Sequence, residues 1–126
     1  MTNRTAEEVA AGLKALSERV AALPHMDRGK LNEEIASVLP GEQFNHCYLG
    51  HIDAANRLAI PGYSWCAGVS IDDDGIVQPW ANVHSSHAYN TGRRVDVSIN
   101  AASESIALAA AWLSVRAILK GENRDD

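Results

Sequence analysis

His84-Ser85-Ser86-His87 sets two imidazoles three residues apart, and His46, Cys47, His51 and Cys66 add further soft ligands, so zinc binding is the first chemistry to weigh. The spacing argues against it. A His-x-x-His pair converges on one face of a helix, yet this stretch reads as strand or loop, and no Cys-x-x-Cys pair stands elsewhere. Solvated or hydrogen-bonded polar residues are the simpler account. Asp72-Asp73-Asp74-Gly75 is similar to a fragment of a calcium loop but lacks the remaining ligands and the closing glutamate, so a hairpin turn is expected there.

Covalent chemistry has as little support. Ser85, Ser86 and Cys47 each have a histidine close in sequence, but no Gly-x-Ser-x-Gly elbow or other activating context surrounds them. Asp53 is a lone carboxylate early in a short helical segment, where a cap or helix-dipole partner is the ordinary role. No glycine loop of the phosphate-cradling or dinucleotide-binding type is present. The expectation is a protein that is not an enzyme and carries no cofactor and no metal.

Binding fits the side chains better. Arg93 and Arg94, the only adjacent basic pair, can make charge-assisted hydrogen bonds to phosphate or carboxylate. Trp80, Tyr89, Trp65 or Tyr48 can stack on a planar group, and His84 and His87 can donate or accept at the rim. These eight residues form the candidate ligand site, and a small anionic ligand or a protein is its expected occupant.

The chain has 126 residues, room for one modest core. Its composition, 46% hydrophobic and 21% charged, is that of a globular domain. Eleven Lys and Arg against sixteen Asp and Glu give a net charge of −5, which disfavours general coating of nucleic acid, since that rests on clustered cations. No window approaches the roughly 20 apolar residues of a membrane span, and the opening MTNRTAEEVAAGL lacks the apolar middle of a signal peptide. A cytoplasmic protein with reduced Cys47 and Cys66 is expected.

The elements that must position these residues can be read from periodicity. Thr5-Ala6-Glu7-Glu8 has the capping-box pattern, and Val9, Leu13, Leu16, Val20 and Leu23 follow as one apolar stripe ended by Pro24. Asp27 can cap a second helix with Leu31, Ile35 and Val38 or Leu39 inward, stopped by Pro40-Gly41. Residues 5–39 therefore read as a helical hairpin, residues 44–120 as a mixed part and 121–126 as a tail, all in one domain. A short amphipathic helix carries Ile52, Ala55 and Leu58 or Ala59.

Tyr63, Trp65, Ala67, Val69 and Ile71 then alternate with small or polar residues, the mark of a half-buried strand. A returning strand is expected over Ile76–Val83 and a third over Arg94–Ile99, with His84 to Arg93 between them as a connection of about ten residues or as two strand ends with a shorter loop. From Ser103 to Leu119 the last helix is apolar in almost every direction and must be covered all round. The sheet covers one side; the other needs the N-terminal helices, the middle helix or a second subunit, and Ala107, Ala109, Ala110 and Ala111 would let another backbone approach closely. A homo-oligomer is expected, with this helix as one route to it.

Three stretches together resemble a family. LNEEIASVL, then Tyr48 with Ile52-Asp53-Ala54-Ala55, Leu58, Gly62, Tyr63 and Trp65, then AASESIALAAAWLSVRA are similar to the small phage- and prophage-encoded ABA-sandwich domain proteins of the NinX-like kind. Asn56 and Arg57 depart from the pattern, standing where apolar or small residues are typical, and His84 to Arg93 has no counterpart. The resemblance implies an α+β fold of the α/β/α sandwich type: an N-terminal helical hairpin, a short middle helix, a three-stranded mainly antiparallel sheet and a long apolar C-terminal helix. It also implies an origin in a phage or prophage and a place of action in the bacterial host cell. It brings no catalytic residues. The functional expectation is a non-catalytic accessory protein that binds a host component, in its sharpest form a counter-defence sponge for an anionic nucleotide immune signal. The alternative is a protein–protein module inhibiting a host protein, and a small metal-dependent hydrolase comes last.

Overall fold

The computed structural model describes residues 5–22, 28–37, 52–85 and 95–121. Its elements in chain order are helices α1 (Ala6–Ala21), α2 (Arg28–Ser37) and α3 (Ile52–Ala55), the last continuing as a 3-10 turn over Asn56–Leu58. Strands β1 (Tyr63–Ile71), β2 (Val77–Ser85) and β3 (Asp96–Asn100) and helix α4 (Glu104–Gly121) complete it. The sheet is antiparallel throughout, in the order β1-β2-β3. The fold is thus α+β, with helices before and after a three-stranded antiparallel sheet.

Local chemistry explains how the helices begin. Glu8 N–H donates to Thr5 Oγ1 at 3.1 Å while Thr5 N–H donates to the Glu8 carboxylate at 3.2 Å, so the expected capping box closes α1 at its start. Leu13, Leu16 and Val20 bury along one stripe, with Ser17 between them. Leu31 and Ile35 turn inward from α2, as their spacing predicts. Leu23, Asp27, Val38 and Leu39, the other positions assigned to this hairpin, lie outside the described residues.

Helix α4 is the centre of the molecule. Every residue from Ser105 to Leu113 is buried, because α1 packs along one side while β2 and β3 cross the other and α3 closes a third. An all-round apolar helix is thereby covered within one chain. The chain order is helices, sheet, helix; in space α4 lies between the sheet and α1. The small side chains let α1 come close enough for Ser17 Oγ to donate to the Ala110 carbonyl at 2.7 Å. Ala107, Ala109, Ala110 and Ala111 are fully buried here, so they do not offer the surface for a second subunit that their sequence suggested.

His84 and Ser85 continue β2 and pair with β1 opposite Ser64 and Tyr63, which agrees, at its first two residues, with the reading of His84 to Arg93 as strand ends around a shorter loop; residues 86–94 lie outside the described ones. The alternation along β1 is present, but Trp65, Val69 and Ile71 remain 36%, 46% and 68% exposed. The reason is placement: α4 lies mainly over β2 and β3 and reaches β1 only in part. The turn is as expected, with Asp72 Oδ1 accepting from the N–H groups of Asp74 and Ile76 and Gly75 at φ 81°, the left-handed conformation that glycine adopts without strain.

Candidate functional site on the open face of the sheet

Strand pairing divides the sheet residues into two sets. Residues directly opposite each other share a face, so Trp65, Ala67, Ala81, Val83, Val97 and Ile99 look toward α4. The other face carries three cross-strand rows: Gly68, Trp80 and Asn100; Cys66, Asn82 and Ser98; Ser64, His84 and Asp96. Among the described residues no helix covers this outer face, and its residues are exposed or half-buried.

The rows are joined by hydrogen bonds. Asn82 Nδ2 donates to Asp96 Oδ1 at 2.7 Å and to Ser98 Oγ at 2.8 Å, while Asn82 Oδ1 lies 2.7 Å from His84 Nδ1. An ionised carboxylate only accepts, so the amide nitrogen must face Asp96 and the amide oxygen must face the imidazole. His84 Nδ1 then donates to Asn82 Oδ1, and among the described residues Nε2 has no partner. The indole of Trp80 is seated on Gly68: a Cβ built on that glycine would stand 2.9 Å from Trp80 Cζ2. The outer face therefore combines an aromatic platform with an oriented polar network, an arrangement suited to stacking on a planar group and reading its edge.

Of the residues expected to bind a ligand, His84 and Trp80 share this face, two rows apart. Trp65 is on the opposite face and cannot join them. Tyr48, His87, Tyr89, Arg93 and Arg94 lie outside the described residues. Asn82, Asp96, Ser98 and Gly68 were missed, because each is unremarkable in sequence and only the register sets them beside His84 and Trp80.

The nucleophile and metal candidates resolve differently. Ser85 is buried and its hydroxyl accepts from Val95 N–H at 3.2 Å, so it closes the β2–β3 ladder. Asp53 is exposed in the first turn of α3. Cys66 is a free, exposed thiol. Among the described residues no group of three or more His, Cys, Asp or Glu side chains could hold a metal ion, and no helix is long and apolar enough to cross a membrane. His46, Cys47, His51, Ser86 and His87 fall outside them.

Comparison of the chain with known protein families, with curated proteins and with solved structures found no match.

Proposed function

We propose that this protein is a binding module without chemistry of its own, which takes a host component onto the open face of its sheet. The observation that carries the reading is Trp80 seated on Gly68 beside the Asn82-His84-Asp96-Ser98 network. A base or similar planar group would stack on the indole, and His84 Nε2, two rows further along the face, would meet another part of the same ligand. Following the resemblance of its helices to those of small phage proteins, the reading makes it a phage or prophage accessory protein working in the cytoplasm of a bacterial host. In its sharpest form it is a sponge that sequesters an anionic nucleotide immune signal. Arg93 and Arg94, which directly precede Val95 in the chain, are the cations such a ligand needs for its phosphates.

Calorimetric titration with cyclic nucleotides and cyclic ADP-ribose isomers is the direct test. Binding of one of them, weakened about tenfold or more by Trp80→Ala and by the Arg93→Ala/Arg94→Ala pair, is the expected result, since each substitution removes a stacking or charge-assisted contact of about 1–3 kcal/mol. No binding to any of them removes the sponge.

A second reading, a module that inhibits a host protein, is favoured by the exposed apolar residues Trp65, Val69, Ile71, Ile76 and Val77. A pull-down from host lysate separates the two: a sponge recovers no stoichiometric protein, an inhibitor does.

A further inference from the structure

β1 is an edge strand, and among the described residues nothing pairs with its outer edge, which can be mapped residue by residue. Asp72 N–H donates to the Ile76 carbonyl at 3.1 Å, which makes that pair a hydrogen-bonded one. Alternation along an antiparallel ladder then directs the backbone groups of Ser70, Gly68 and Cys66 toward β2. Those of Trp65, Ala67, Val69 and Ile71 point away from the sheet. The far side of β2 agrees. Pro79, which has no N–H, stands opposite Val69, where no hydrogen bond to β1 is required, and its carbonyl accepts from Ala101 N–H at 3.2 Å instead.

Such an edge is normally blunted by lysine, proline or a bulge. From Trp65 to Ile71 the sequence is WCAGVSI, with neither charge nor proline. Of its side chains on the α4 side, Ala67 packs against the core while Trp65, Val69 and Ile71 are exposed. Among the described residues, a row of unpaired backbone donors and acceptors thus runs beside exposed apolar side chains.

We infer that the occupant is a second copy of the chain, paired antiparallel through β1 about a two-fold axis at Ala67. The strand is complementary to itself in that register. Trp65 meets Val69 of the second copy, Ala67 meets its own counterpart and Cys66 meets Gly68, so every apolar residue faces an apolar or small one and no face is inverted. Aromatic residues opposite β-branched ones are among the favourable cross-strand pairs. The two sheets join into one of six strands, and the bare strips of the two copies cover each other between the two α4 helices. A two-fold contact of this kind closes on itself and stops at the dimer. The inference does not depend on what the outer face binds, because it uses the edge and the α4 side of β1.

Sedimentation of the full chain tests it, with Val69→Lys as the disrupting variant. Val69 is 46% exposed, so its side chain has room for a lysine that keeps the fold, checked by an unchanged cooperative melt, while placing a charge in each half of the interface. A wild-type dimer whose dissociation constant rises about tenfold or more in Val69→Lys supports the inference. A monomeric wild type, or a dimer indifferent to the lysine, overturns it. The register is tested separately by Ala67→Cys in a Cys66→Ser background. Counterparts at a hydrogen-bonded pair stand about 5.5 Å apart at Cα, within reach of a disulfide. Oxidation to a covalent dimer, lost when Val69→Lys is added, supports pairing at Ala67; a dimer that never cross-links overturns that register.

Discussion

Trp112 is fully buried in α4, and its indole Nε1 donates to Asn56 Oδ1 at 3.1 Å. The contact accounts for an asparagine that the sequence marked as out of pattern. A buried indole N–H without an acceptor is costly, and the 3-10 turn after α3 is the element that supplies one. The prediction is that Asn56→Leu destabilises the protein by about 1–3 kcal/mol, because it orphans that donor, whereas Asn56→Asp retains most of the stability. Urea unfolding checks both, and similar losses in the two variants would show that the acceptor is irrelevant.

Arg116 sits four residues further along α4. Its Nε and Nη2 both donate to the Leu58 carbonyl, at 3.0 and 2.8 Å, and burial pushes its guanidinium below the usual arginine value. The cation closes the C-terminal end of the 3-10 turn, where carbonyls are left without helical partners. Arg116→Met keeps the apolar stem and loses the donors. A destabilisation of about 1.5–3 kcal/mol is expected, with α3 and its 3-10 turn showing the largest loss of hydrogen-exchange protection.

Gly68 and Trp80 should behave as one unit. Gly68→Ala sets a methyl group 2.9 Å from the indole, so the ring must leave its seat. About 1–3 kcal/mol of destabilisation and a shift in tryptophan fluorescence are expected. The double variant with Trp80→Ala should be clearly more stable than the two single losses added together, since the clash is then gone. Strict additivity would dissociate the glycine from the tryptophan.

The ion pair between α1 and α2 gives a pH dependence. Arg19 donates to both carboxylate oxygens of Glu34, at 2.7 and 3.2 Å, and these hydrogen bonds hold the Glu34 carboxyl below its usual value. A carboxyl whose folded value lies below its unfolded one adds stability above the unfolded value and loses it as the pH falls through the folded one. The Arg19 side chain is 54% exposed and that of Glu34 33%, so solvent screening limits the gain to about 0.5 kcal/mol. Glu34→Gln should therefore cost about that much at pH 7, and the difference should shrink on acidification or in high salt. A gap that widens in acid would contradict the assignment.

The sequence by itself determined the elements whose patterns are local. The capping box, the stripe of α1, the inward Leu31 and Ile35 and the Asp72–Gly75 turn follow from spacing, because a 3.6-residue period and a left-handed glycine depend only on near neighbours. The all-apolar α4 announced that it would be covered; it did not say by what. Tertiary structure decided that α1 and the sheet do so within one chain, which buries the four alanines whose small size had suggested a subunit contact. It also decided which side of each strand no helix covers among the described residues, since a shift of one residue in register would exchange the two faces. For that reason His84 and Trp80 could be singled out in sequence, while Asn82, Asp96, Ser98 and Gly68, which hold and orient them, became visible only when three separate strands were set side by side.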